Sequence, residues 1–126
     1  MITVTLAEQL IRAAEASEPM EMCGLLFGET FVPATNVADD PLHNFEIAPE
    51  EYLKACMVHD SKPWALVHSH PTSPAVLSVK DCRLMDALEK TNHDLVMVIV
   101  SLKDRQIRAF KKRGHVYEQV WESVRW

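Results

Sequence analysis

Residues 94–102, DLVMVIVSL, form a nearly continuous run of apolar, largely β-branched side chains, and this run constrains the fold more than any other stretch. Branching at Cβ suits a pleated strand better than a helix, and the lack of alternation means that both faces need cover. A strand of this kind belongs in the middle of a sheet with a layer on each side. The rest of the chain must therefore supply neighbouring strands and covering helices. With 126 residues, 48% of them apolar and 25% charged, it can do so as one domain over residues 1–126 with its own core.

The remaining segments read as those layers. Thr5 can cap a first helix whose apolar positions Leu6, Leu10, Ala13 and Ala14 recur at helical spacing until Pro19 ends it. CGLLFG (23–28) and ETFVPATNVADDP (29–41), the latter interrupted by Pro33 and Pro41, are expected to pair as a hairpin. In APEEYLKACMVHD, Pro49 suits a first helical turn and Glu50 and Glu51 favour its dipole, with Tyr52, Leu53, Cys56 and Met57 forming one face. WALVHSH is a strand that Pro71 stops. SVKDCRLMDALEK is a third helix with Val79, Cys82, Leu84, Met85 and Leu88 on its apolar side, and 107–113 and 115–121 are two more strands. The expected class is α/β or α+β, one mixed sheet flanked by helices.

Composition excludes several functions. The net charge of −5, with Lys and Arg scattered apart from Lys111, Lys112 and Arg113, offers no phosphate-binding stripe, so nucleic acid is not an expected partner. No 18-residue apolar run and no signal-type N-terminus occur, so no membrane partner and a cytoplasmic location are expected. Cys23, Cys56 and Cys82 are odd in number and far apart, which suits buried thiols rather than disulfides or a metal knuckle. His43, His59, His93 and His115 have no matching partners and read as surface or structural. Trp64, Trp121 and Trp126 read as core or interface anchors, and the terminal VWESVRW could pack on the sheet or on another copy, as a homodimer.

The segment HSHPTSPAVLSVKD (68–81) carries the chemistry. Alternate strand residues point the same way, so His68 and His70 share a face and two imidazoles can reach one ion. Asp81, from the first turn of the next helix, completes the three protein ligands that a catalytic zinc takes while leaving a fourth position open. Ser78 and Asp81 also fit a capping pair that satisfies backbone donors at a helix start. Water activated by such an ion needs a base, and Glu21, Glu29, Glu46, Glu50 and Glu51 are open candidates on spacing alone. Cytidine-deaminase chemistry would need HxE with CxxC, and the gluzincin type would need HExxH; neither pattern occurs.

PMEMCGLLFGE followed by LVHSHPTSPAVLSVKD resembles the JAMM (MPN-plus, or JAB) metalloprotease family, whose pattern is a glutamate, then HxHP, six residues, then SxxD. His68, Ser69, His70, Pro71, Ser78 and Asp81 match it fully. The resemblance implies a curved sheet between helices, similar to the cytidine deaminase architecture. It implies Zn²⁺ held by His68, His70 and Asp81, with Glu21 as general acid/base and Ser78 stabilising the oxyanion. Active members hydrolyse peptide or isopeptide bonds after the diglycine end of ubiquitin-like or sulfur-carrier proteins. The short connections resemble a small prokaryotic member, so such a carrier is the expected partner. FVPATNVADDPLHNFEIAPEEYLKA also resembles phage-tail JAB domains, which a cell-wall peptidase domain often follows. None is expected here, which places that role second, and a zinc-free scaffold or binding module on the same fold is the third reading.

Overall fold

The computed structural model describes residues 2–126, and its elements follow the expected order. Helix α1 (Val4–Ser17) is capped by Thr3, whose hydroxyl accepts the Leu6 amide at 3.1 Å. The cap therefore lies two residues before Thr5, which sits inside the helix. The expected face is correct: Leu6, Leu10 and Ala14 are buried and Ala13 is half-buried. Strands β1 (Cys23–Phe27) and β2 (Thr30–Ala34) form the hairpin, paired from Phe27 with Thr30 to Cys23 with Ala34. The second extended stretch ends at Ala34, well before Pro41. Pro33 is tolerated because β2 is an edge strand. A Cβ on Gly24 would come within 2.4 Å of the Phe31 ring and 2.6 Å of the Val32 carbonyl oxygen, so this close crossing requires glycine.

Next come α2 (Pro49–His59), β3 (Ala65–His70), α3 (Val79–Glu89), β4 (Val96–Ser101), β5 (Gln106–Arg113) and β6 (Val116–Glu122). The strands form one open six-stranded sheet in the order β2-β1-β3-β4-β5-β6. Only β3 and β4 are parallel, and α3 is the crossover between them. The chain is thus an α+β domain with a mixed sheet flanked by three helices.

Successive side chains of the central strands β3 and β4 turn to opposite faces, as the pleat requires, and both faces are buried. Ala65 and Val67 of β3 and Val98 and Val100 of β4 join Leu6, Leu10 and Ala14 in a core on the α1 side. Leu66 of β3 and Met97 and Ile99 of β4 join Ala55 and Met85 in a second core on the α2/α3 side. Strand β4 is therefore covered on both faces, as its composition demands. Each fully buried side chain of this size contributes roughly 1.5–3 kcal/mol.

Two helix faces differ from expectation. In α2 the inward side is Tyr52, Ala55 and Cys56, while Leu53 is 60% and Met57 73% exposed. Two apolar stripes of helical spacing compete on this helix, and tertiary contacts choose between them. His59 stacks on Phe27 of β1 with ring centroids 4.2 Å apart, and Glu51 accepts the Thr35 amide, which fixes the rotation. In α3, Val79 is exposed at the first helical position and Asp81 is buried instead. At the C-terminus, Trp121 and Trp126 pack on the α1-side core, and the Ser123 amide bonds the Ile107 carbonyl, so the terminal segment packs on its own sheet. The Trp64 indole is likewise tied down, donating to the Gly28 carbonyl at 2.8 Å.

All three cysteines are free. Cys23 is buried, its thiol pushed up to about 12 by desolvation, whereas Cys56 and Cys82 are only half-buried. Among the described residues no helix is long and apolar enough to cross a membrane.

Candidate metal centre

Strand β3 delivers the two histidines. Leu66, His68 and His70 point to the α2/α3 side, and β3 stops at His70, where Pro71 lacks a backbone donor. The following loop is tied back by the Ser101 hydroxyl, which donates to the Ser73 carbonyl at 2.8 Å, and by the Ala75 amide, which donates to Asp104 at 2.9 Å. Those bonds return the chain to start α3 beside the strand end it has just left.

The start of α3 is a complete capping box. The Ser78 hydroxyl accepts the Asp81 amide at 3.0 Å, and the Ser78 amide donates to Asp81 Oδ2 at 3.0 Å. The box does more than cap, because it orients the buried Asp81 carboxylate toward the histidines. Oδ1 lies 3.1 Å from His68 Nε2, Oδ2 lies 3.4 Å from His70 Nε2, and the two Nε2 atoms are 3.1 Å apart. Four ligands at about 2.0–2.1 Å around a tetrahedral ion stand about 3.3–3.4 Å from one another. These three side chains therefore have the spacing and the nitrogen and oxygen chemistry that zinc takes.

Their surroundings favour the same role. His70 Nδ1 is 2.8 Å from the Pro74 carbonyl and donates to it, so that in the neutral ring Nε2 would carry the lone pair a metal takes. His68 is fully buried, its ring stacked on Phe45 with centroids 4.4 Å apart, and desolvation lowers its affinity for a proton. Burial raises the Asp81 carboxyl, but hydrogen bonds from His68 and His70 outweigh it and hold the group well below the usual carboxylate range. Burial also works against a charged His70, yet its bonds to Asp81 and Pro74 leave its affinity raised.

Glu21 reaches the centre from far away in sequence. The Met22 amide donates to the Ser69 hydroxyl at 2.7 Å, and the Ser69 amide donates to the Met22 carbonyl at 2.9 Å. Ser69 points to the opposite face from its histidine neighbours, and with it β3 holds residues 21–22 alongside. Ligand atoms of Glu21, His68 and His70 lie within 4.8 Å of one another. Two carboxylates thus flank the imidazoles. Asp81 has the close spacing and a held carboxylate, which suits a ligand. Glu21 is only 8% exposed, its carboxylate makes no hydrogen bond among the described residues, and burial raises it to about 7, which suits a proton carrier.

Three of the other glutamates considered as bases go elsewhere. Glu29 sits in the β1–β2 turn, Glu50 is exposed on α2, and Glu51 accepts the Thr35 amide. Glu46 does reach the centre, on the rim of a cleft of about 520 Å³ that Glu21, His70, Ser78 and Asp81 also line. The second wall of that cleft is the loop 35–48, which has no periodicity to read. One side chain organises it: Asn36 donates to the Glu21 carbonyl at 3.0 Å and the Asn44 carbonyl at 2.9 Å, and accepts the Ala38 and Glu46 amides. The same loop brings Phe45 over His68 and places His43, paired with Asp40 at 2.9 Å, in the cleft wall. His43 is therefore part of the site's rim rather than a remote surface histidine.

A family model described as prokaryotic homologues of the JAB domain matches residues 3–113. The chain is also 29% identical over 120 residues to the tail tip assembly protein K of Escherichia phage N15, an alignment that covers 86% of this chain. It spans 44% of that relative's length.

Proposed function

The chain belongs to the family of prokaryotic homologues of the JAB domain, and from that premise we propose that it is a zinc-dependent peptidase. The observation that carries the proposal is the convergence of His68, His70 and Asp81 at 3.1–3.4 Å, with Glu21 buried and unpartnered beside them. His68, His70 and Asp81 would hold the ion, which when bound polarises a carbonyl and acidifies water.

The chain's own groups supply the rest. Glu21 takes the proton from the attacking water and passes it to the departing amine, a role open to a carboxyl buried beside the ion's ligands with no hydrogen-bond partner of its own among the described residues. Ser78 Oγ uses a lone pair on the Asp81 amide and keeps its O–H free to donate a hydrogen bond to the oxyanion. Capping and catalysis are then compatible at this residue. Phe45 and the loop carrying it shield His68 from water.

For substrate, we take the bond after the C-terminal diglycine of a ubiquitin-like or sulfur-carrier protein. Glycines let a tail approach a cleft wall closely, and main-chain hydrogen bonds then supply affinity. A second reading, favoured by the similarity to a tail tip assembly protein, gives the same chemistry a role in building a phage tail tip. The test is incubation of zinc-loaded protein with diglycine-ended carriers, conjugated or extended at the C-terminus, followed by intact mass. Cleavage at the diglycine supports the first reading. Cleavage of none, together with loss of tail tips from a phage lacking this chain, would replace it with the second.

A further inference from the structure

The support of the chain changes between Glu21 and Met22. Met22 is held by the sheet: its amide donates to the Ser69 hydroxyl of β3 at 2.7 Å, and its carbonyl accepts the Ser69 amide at 2.9 Å. Glu21 is held by the loop 35–48 instead. Its amide donates to the Pro41 carbonyl at 2.8 Å, and its carbonyl accepts from Asn36 Nδ2 at 3.0 Å. The side chains read as metal ligands come from β3 and α3, whereas the residue read as the proton carrier is fastened to the facing wall of the cleft. The Glu21 carboxylate has no hydrogen bond of its own among the described residues, so its packing and its backbone alone place it.

One amide makes the loop wall a unit. Half-buried Asn36 commits both Nδ2 hydrogens, to the Glu21 and Asn44 carbonyls at 3.0 and 2.9 Å, and accepts the Ala38 and Glu46 amides at Oδ1 at 3.1 and 3.2 Å. That uses the whole capacity of the side chain, two donors and two lone pairs. Nδ2 also lies 3.5 Å from the Pro41 carbonyl to which the Glu21 amide donates. Aspartate lacks the donors and glutamine is a methylene longer, so this set of bonds asks for asparagine. The loop that Asn36 gathers lines the cleft with Asp39, His43 and Glu46, on the side that a substrate would touch.

Resting on the peptidase reading, we propose that Asn36 is a positioning residue for the reaction, tying the Glu21 backbone to the substrate-facing loop and so holding its carboxylate beside His68 and His70. Metal binding then depends on β3 and α3, and proton transfer on the loop wall. Loosening Asn36 separates the two.

The variants are Asn36→Asp, which keeps the acceptor and removes both donors, and Asn36→Ala, which removes all four bonds without adding charge. Zinc-loaded protein is assayed on a diglycine-ended carrier extended at the C-terminus. In both variants kcat should fall roughly tenfold to hundredfold, the scale of a misplaced reacting group, with KM changed far less and zinc content unchanged. In a Glu21→Gln background the same substitutions should cost less than about twofold, because the group they position is gone. Turnover kept in both variants, or losses that simply multiply with that of Glu21→Gln, overturns the role. Amide hydrogen exchange gives a reading that needs no turnover. The Glu21 amide should lose protection in both variants while the Met22 amide, held by Ser69, keeps it. Unchanged protection at Glu21, or parallel loss at Glu21 and Met22, overturns the positioning and leaves the peptidase reading intact. Selective loss at Glu21 in a protein that cleaves no carrier even as wild type sinks the peptidase reading and leaves Asn36 as the anchor of Glu21.

Discussion

The two faces of β3 do different work within six residues. On the α1 side, Ala65 and Val67 meet hydrocarbon and Ser69 clasps Met22, so this face supplies stability and alignment. On the α2/α3 side, Leu66 is core, but His68 and His70 leave hydrocarbon for a polar centre that opens into a cleft. The strand's pleat thus separates a face that holds the fold from a face that holds chemistry. Damage to one should be readable without damage to the other.

The largest test of that separation is Glu21→Gln. Hydrolysis should fall by roughly 10²–10⁴-fold, the usual contribution of a positioned acid/base, with zinc content and melting temperature retained in the loaded protein. Normal turnover would remove Glu21 from the mechanism. On the opposite face, Leu10→Ala should cost about 2–5 kcal/mol in denaturant unfolding while the folded protein still binds zinc. A selective loss of zinc in that variant would mean that the two faces are coupled.

How far these faces could be read from the sequence follows the same division. The β4 run, the alternation in β3 and the Ser78–Asp81 spacing were legible because each depends on near neighbours in the chain. The inward side of α2 was not, because its apolar stripes are equivalent until His59 meets Phe27 and Glu51 meets Thr35. Glu21 could be chosen among five candidate glutamates only by resemblance, since its place depends on Ser69 and Asn36, whose hydrogen bonds cross from distant segments. The cleft wall was illegible altogether, since one asparagine amide, not periodicity, folds residues 37–46.

A smaller effect concerns pH in metal-free protein. Burial raises the Glu21 carboxyl from an ordinary 4.5 to about 7, so the folded state binds a proton more tightly than the unfolded chain. That contribution to stability declines as pH rises from about 4.5 through 7. Glu21→Gln should therefore stabilise metal-free protein by up to about 3 kcal/mol at pH near 8.5 and by almost nothing near pH 4.5, measured by urea unfolding. A pH-independent difference would mean that the carboxyl is not desolvated in solution.

The smallest comparison sets one helix cap against another. Thr3→Ala and Ser78→Ala should each cost about 0.5–2 kcal/mol in stability, because each removes an acceptor from a helix start. Only Ser78→Ala should also weaken zinc binding, and by a small factor, because the lost hydroxyl holds the Asp81 amide in the helix start while the Ser78 amide still holds the Asp81 carboxylate. Equal zinc affinity in the two variants would reduce Ser78 to a cap.

Direct zinc titration of metal-free protein, wild type beside Asp81→Ala, bears most closely on the chemical face. One zinc per chain should bind the wild type tightly. Asp81→Ala should lose more than the roughly 10–100-fold that removing an outer-shell partner costs, because a ligand itself is gone. A wild-type protein that takes up no zinc at micromolar concentration, or an Asp81→Ala variant that binds as tightly, would contradict a metal centre built from His68, His70 and Asp81.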